Sequence, residues 1–296
     1  MTSAIGSTRR RFWLDNGFLV FPGFFTGDEV ELVTAAHRAA WSVPRPWVVV
    51  DDLVTNERIR ITDVEPERRR HHFKTNDLYL TDPDVRMVAL SHRLGIILEE
   101  LLGDEPVLCN SLNFERGSEQ EDHLDTLYMT PATEGKLVAT WMALEDAAPD
   151  AGPLRYYPES NRIEPFRFSS GTLHRELPEM PQWNDYMASQ VERRGLRAEV
   201  FAARRGDLFI WDALLLHGGC PITDPELTRE SLVSHYWTQA DCTARSLDLR
   251  PAAGGWWVKR DPQPVPSLGR AEVIPADEYG LRAADAMVLA GIDPRR

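Results

Sequence analysis

His123-Leu124-Asp125 is the stretch around which this chain organises. Side chains alternate along an extended strand, so a histidine and a carboxylate separated by one residue point to the same side. Both can ligate one metal ion. A second histidine, His217, ends the apolar run Leu208-Phe-Ile-Trp-Asp-Ala-Leu-Leu-Leu-His217. Two imidazoles and one carboxylate that leave the opposite face open form the facial triad suited to non-haem Fe(II) and O2 chemistry. Two polar residues alternating on a surface strand would give the same letters, so the pattern takes its meaning from its surroundings.

Those surroundings are short strands. Val107–Glu115, Leu137–Leu144, Leu154–Tyr157, Arg197–Phe201, Asp207–Trp211 and Ser231–Thr238 are β-branched or aromatic runs bounded by Gly, Pro and Asp. Helices come first. One ends at Asn16-Gly17, a good C-cap, and a short strand, Phe18–Phe21, is stopped by Pro22-Gly23. Thr26-Gly-Asp-Glu29 caps a helix through about Trp41. A further helix runs from Asp82 to Gly103, with Val88, Leu90, Leu94, Ile97, Leu98, Leu101 and Leu102 at helical spacing. Pro178–Arg194 reads as a helix inserted among the strands.

Two regions carry less signal. Residues 42–72 are charged without a clear period and read as a flap, with Trp47–Val50 as a candidate short strand. The tail from Ala240 reads as irregular, ending in a helix over Ala276–Ala290. Helices followed by many short strands give an α+β fold, with helices outside an antiparallel double sheet or jelly roll. The 296 residues read as one domain: a helical part to about 105, a core over about 106–240, and a tail over 241–296.

Composition narrows the partners. With 46 acidic against 33 basic residues, the formal charge is −13, so the chain lacks the basic face that nucleic acid or an anionic membrane demands. No apolar run is long enough to span a bilayer. Arg9-Arg10-Arg11 is followed by Phe12-Trp13 and at once by Asp15-Asn16, which is not the apolar core of a signal peptide. Cys109, Cys220 and Cys242 are scattered, with no C-x-x-C, as expected of a reducing cytoplasm.

In this order the segments resemble the phytanoyl-CoA dioxygenase family of Fe(II)/2-oxoglutarate oxygenases. The likeness rests on Asn16-Gly-Phe-Leu-Val-Phe-Pro-Gly-Phe-Phe25, on His123-Leu-Asp125, and on Trp141-Met-Ala-Leu-Glu-Asp146 with Gly152-Pro-Leu-Arg-Tyr-Tyr-Pro158. It continues through Arg205-Gly-Asp-Leu-Phe-Ile-Trp211 and His217-Gly-Gly-Cys-Pro-Ile222, and closes with Arg229-Glu-Ser-Leu-Val-Ser-His-Tyr236. The set is far more specific than any one motif. Two departures stand out. The family's P-G-S-H reads Pro158-Glu-Ser-Asn161, which points to altered substrate contacts, and Gly219 falls where serine is common.

The resemblance implies a double-stranded β-helix, cupin-like core with flanking helices. It implies Fe(II) on His123, Asp125 and His217, and 2-oxoglutarate as co-substrate. Arg229 would grip the far carboxylate of 2-oxoglutarate as a bidentate fork. Trp141 and Leu112 would line the co-substrate pocket, and Lys74 would reach a carboxylate or amide there. Retention of Asp125 argues for oxygenation over halogenation. The expected reaction uses O2 on an unactivated C–H of a small-molecule substrate, by hydroxylation or oxidative ring closure. Trp47, Trp183, Trp237, Trp256 and Trp257 suit a bulky substrate, sugar-bearing or polycyclic, under residues 42–72 and 178–194, and the H-G-G-x-P-I run suits antibiotic or secondary-metabolite tailoring. His71, His72, His174 and His235 read as bystanders, with two alternatives open: His235, a hydrogen-bonded core residue, could line the site, and His174, in a polar loop, could face substrate. A cupin-like metal enzyme without 2-oxoglutarate and a non-catalytic small-molecule binder are the rival classes.

Overall fold

Local signals set the first half of the chain. The structure, a computed structural model, describes residues 4–270 and 272–280. Helix α1, Gly6–Asn16, stops at Gly17, whose φ of 80° no L side chain adopts cheaply. Strand β1, Phe18–Phe21, follows. Helix α2, Gly27–Ser42, starts on the expected capping box between Thr26 and Glu29.

Residues 42–72 depart from expectation. They carry a strand pair, β2 (Val49–Asp52) and β3 (Glu57–Arg60), joined to the main sheet through β4 (Phe73–Asn76). Val50 and Ile59 reach the core, and charge pairing holds the rest of this hairpin. Arg58 chelates Asp51, while fully buried Asp52 accepts hydrogen bonds from Arg68, His71 and the backbone of Val54 and Thr55.

The single helix expected over Asp82–Gly103 is two, α3 (Pro83–Ala89) and α4 (His92–Leu102). Ser91 between them is extended. Gly254 packs against the backbone of Leu90 and Ser91 and against Gly95, so a tertiary wedge breaks a continuous apolar pattern.

The strands then follow largely as read: β5 (Pro106–Phe114), β6 (Leu137–Ala143), β7 (Leu154–Tyr156), helix α5 (Met180–Arg194), β8 (Glu199–Val200), β9 (Leu208–Asp212), β10 (His217–Gly219) and β11 (Ser231–Thr238). The tail is more regular than expected. Helix α6 (Gln239–Ala244) leads to β12 (Leu249–Ala252) and β13 (Gly255–Val258), and β13 pairs parallel with β5. Of the helix expected over Ala276–Ala290, Ala276–Tyr279 is a 3-10 turn that ends at Gly280, and the remainder lies outside the described residues.

Two sheets result. The larger runs β1-β9-β6-β11-β5-β4-β2-β3, with β13 and β12 attached at β5, and the smaller is β10-β7-β8. Alternation sorts the larger sheet's side chains into two layers. Leu208, Ile210, Val138, Met142, Leu232 and Tyr236 pack beneath the helices. Phe209, Trp211, Ala139, Trp141, Val233 and Phe114 face Leu154 and Tyr156 of the smaller sheet. This is the antiparallel double sheet with outer helices read from the sequence, a jelly-roll, cupin-like core. Burial of each large apolar side chain contributes roughly 1.5–3 kcal/mol.

Candidate active site

His123 and His217 are brought together by the backbone itself. They form an isolated antiparallel bridge, with hydrogen bonds from His123 N to His217 O (2.8 Å) and from His217 N to His123 O (3.1 Å). Their ring centroids lie 4.4 Å apart. Asp125 does not lie on a regular strand, as the alternation argument assumed, but opens a 3-10 turn, Asp125–Leu127. Leu124 is still extended and turns inward to Leu127 and Leu216, which puts Asp125 back on the side of His123. Asp125 Oδ1 is 3.8 Å from His123 Nε2 and 3.6 Å from His217 Nε2. One ligand atom from each residue falls within 4.8 Å of the others, a cluster that could hold a metal ion.

Hydrogen bonding fixes which nitrogen is free. His123 Nδ1 donates to the carbonyl of Glu121 (2.8 Å), and His217 Nδ1 to that of Leu215 (2.9 Å). A carbonyl only accepts, so both protons sit on Nδ1 and both Nε2 lone pairs face Asp125. Burial, then the neighbouring His217, pushes the His123 imidazole down to about 3. Burial alone would raise the Asp125 carboxyl, but His217 and His235 outweigh it and hold Asp125 well below the usual carboxylate range. Neutral imidazole and ionised carboxylate are the states a metal requires.

The other oxygen of Asp125 is anchored from behind. Trp211 Nε1 donates to Oδ2 at 2.7 Å, and His235 Nε2 stands 3.4 Å from the same atom. His235 Nδ1 meets Asn110 Oδ1 at 3.0 Å, and Asn110 in turn donates to Asp77 (2.9 Å), which Arg260 neutralises (2.8 Å). Of the two readings open for His235, a core residue or one lining the site, the structure gives the second, with His235 at the cavity wall beside Asp125. A bulge makes this possible: opposite β11, the pairing of β5 steps from Asn110↔His235 to Leu108↔Tyr236, leaving Cys109 as the extra residue. Asn110 and His235 thus both face the cluster. Nothing local in the sequence marks this, although alternation along Leu208–Asp212 does place Trp211 on the same face as Phe209.

The expected co-substrate residues line the same cavity, of about 330 Å³, as the cluster. Arg229 is buried, and its guanidinium lies 5.6 Å from the Phe114 ring and 5.5 Å from that of Trp141. Arg229 Nε and Trp141 Nε1 are buried without a hydrogen-bond partner among the described residues. Burial pushes the arginine down to about 10, so it remains a cation at neutral pH. Leu112 lines the cavity opposite Val233. Lys74 also lines it, with Nζ 3.5 Å from Asp51. Gly219 is imposed by the fold. A Cβ there would lie 2.8 Å from both Glu119 N and Ser118 Oγ.

Other expectations fail. None of Trp47, Trp183, Trp237, Trp256 and Trp257 lines the cavity, where the tryptophans are Trp141 and Trp211. These five tryptophans therefore form no sugar-stacking surface in this cavity. Helix α5 does not cover the mouth. Its Trp183 and Met187 pack on Leu124, Leu127 and Leu216, behind the metal cluster. Asn161 packs at Gly17 and donates to Leu14 O (3.4 Å), away from the cavity. From residues 42–72, Asp51 and Arg58 do reach the cavity.

This jelly roll, with two histidines and a carboxylate beside a buried arginine, has the arrangement expected of a non-haem oxygenase fold. The chain belongs to the phytanoyl-CoA dioxygenase (PhyH) family, whose model matches residues 13–229. No curated protein matches it significantly. Among solved structures it is similar to the non-heme alpha ketoglutarate dependent carbocyclase SnoK from nogalamycin biosynthesis (16% identity, 87% of this chain and 99% of that one, TM-score 0.60). It is also similar to EctD from S. alaskensis with 2-oxoglutarate and 5-hydroxyectoine (17%, 95% and 88%, TM-score 0.58). A third is the epimerase SnoN in complex with Fe3+, alpha ketoglutarate and nogalamycin RO (17%, 77% and 81%, TM-score 0.55). At these identities the likeness is one of fold. No helix among the described residues is long and apolar enough to cross a membrane.

Proposed function

We propose that this protein is an Fe(II)/2-oxoglutarate-dependent oxygenase acting on an unactivated C–H of a small molecule. The observation that carries this reading is one cavity shared by the His123-Asp125-His217 cluster and by Arg229, whose buried Nε has no partner among the described residues. The donor set fits iron, and the unpartnered Arg229 Nε and Trp141 Nε1 fit a carboxylate co-substrate. Iron and 2-oxoglutarate together with O2 supply the oxidising chemistry that removes hydrogen from a C–H.

The chain's own part is to hold and to dry the site. His123, Asp125 and His217 would hold the metal on one side, with Trp211 and His235 keeping Asp125 Oδ1 turned toward it. Arg229 would take the far carboxylate of 2-oxoglutarate. Phe114, Leu112, Val233 and Leu154 around it keep the dielectric low, so the ion pair is stronger than in water. Fold likeness to SnoK and SnoN supports tailoring of a secondary metabolite, by hydroxylation or ring closure. The free thiols of Cys109, Cys220 and Cys242 support a cytoplasmic setting.

The test is anaerobic addition of Fe(II) and 2-oxoglutarate to the purified protein, watching for the weak visible metal-to-ligand charge-transfer band. The band should form and be lost in Arg229→Ala. Iron bound without a band would favour a metal enzyme that does not use 2-oxoglutarate. No iron binding would favour a non-catalytic binder.

A further inference from the structure

The cavity is charged against the rest of the molecule. The chain has a formal charge of −13, yet among the described residues the cavity is lined by Arg58, Lys74, Arg175 and Arg229 against only Asp51 and Asp125. Under the reading above, Asp125 serves the metal and Arg229 the far carboxylate of the co-substrate, while Lys74, which the resemblance sends to the co-substrate, is drawn instead toward Asp51 at 3.5 Å. What remains is three cations and a single carboxylate.

Strand pairing sets Arg58, Asp51 and Lys74 side by side in one row. Arg58 takes both oxygens of Asp51, with Nε to Oδ1 at 2.6 Å and a second nitrogen to Oδ2 at 3.0 Å. Lys74 Nζ is left 3.5 Å from that same Oδ2. One carboxylate serves two cations, and a mostly buried ammonium with a shared counterion is poorly compensated. Arg175 has no carboxylate within 4.0 Å among the described residues. Its guanidinium lies 4.4 Å over the ring of Tyr128, and that ring stands edge-on to His123 at 5.6 Å. The stack holds this exposed guanidinium, without a carboxylate partner among the described residues, near the metal cluster.

We infer that this part of the cavity binds an anionic group of the substrate, a carboxylate or a phosphate ester, with Arg175 and Lys74 as donors and Arg58 retaining Asp51. The inference rests on the oxygenase reading of the same site. A guanidinium fork beside an ammonium point charge matches such an oxyanion. Arg175 is solvent-exposed and Lys74 mostly buried, so a neutral group there would leave the Lys74 ammonium poorly compensated inside the site. Anchored at this end, the substrate presents another part of its frame to the cluster, which converts an encounter into a fixed geometry. About 330 Å³ must also take the co-substrate, so the bound part of the substrate is small and any remainder extends outward.

The test uses anaerobic protein loaded with Fe(II) and 2-oxoglutarate, with benzoate and inorganic phosphate as probes, read by titration calorimetry. At least one probe should saturate at about 1–10 mM. Its affinity should fall roughly tenfold or more in Arg175→Gln and fall in Lys74→Met, while Arg175→Gln keeps the charge-transfer band. Saturation by benzoate alone assigns a carboxylate, and by phosphate alone a phosphate ester. Saturation by neither, or equal affinity in wild type and Arg175→Gln, overturns the inference. A wild type without the band overturns the oxygenase reading instead, and the same titration on metal-free protein still decides the anion site.

Discussion

His123 and His217 are direct cross-strand partners, exchanging both backbone hydrogen bonds. The two candidate ligands are therefore spaced by sheet geometry before any metal arrives. Loss of one partner's imidazole ring leaves that backbone pairing intact. His217→Ala should keep its thermal transition within a few degrees of wild type but bind Fe(II) more weakly by over ~100-fold, beyond what loss of an outer-shell contact costs. Anaerobic Fe(II) titration measures this, and unchanged affinity would sink the metal assignment.

Trp211 gives a graded version of the same test. Trp211→Phe removes the 2.7 Å donor to Asp125 Oδ2 while keeping an aromatic ring in the inner layer. Metal affinity should fall about 10-fold to 100-fold. A variant that binds iron like wild type would show that His235 alone suffices to orient the carboxylate.

Gly219 should not tolerate the serine that the family resemblance leads one to expect there. The added Cβ meets Glu119 N and Ser118 Oγ at 2.8 Å, so the loop before His123 must move. Gly219→Ser should cost about 1–3 kcal/mol by overpacking, seen as a lowered Tm, and should also weaken iron binding. A Tm equal to wild type would mean that the loop over residues 118–120 yields freely.

Asp212 makes stability depend on pH. Burial pushes its carboxyl from an ordinary 3.8 up to about 6, opposed by the N–H of Leu214. A raised folded-state value favours the protonated form, so this contribution is complete below the ordinary value and is lost as pH rises through about 6. Asp212→Asn, which cannot ionise, should gain Tm over wild type above pH 6 and lose that advantage toward pH 4. Parallel Tm profiles across this range would refute the assignment.

The core strands and the candidate ligands were legible because both depend on short-range alternation. Trp141, Phe209 and Val233 declare their shared face in the letters around them, and His123-x-Asp125 does the same across one extended residue. What escaped is held by contacts between distant parts. The pair β2 and β3 is fastened by Arg58–Asp51 and Arg68–Asp52, and ion pairs leave no hydrophobic period. Gly254 breaks the helix at Ser91 from far along the chain, and β13 finds β5 in parallel. His235 looked like a core residue because its relation to Asp125 depends on pairing across strands rather than on its neighbours in sequence.

The extra residue at Cys109 works as a phase joint. On one side of it, Val107 and Leu108 follow the rhythm of β13, and on the other Asn110, Leu112 and Phe114 follow that of the site. Each half can accept exchange of its letters without disturbing the other. Neither can accept a change in their number, because removing one residue at the joint would turn Asn110 away from His235 or invert the face shown to β13. Along this strand, variation should therefore arrive as replacement and not as insertion or deletion.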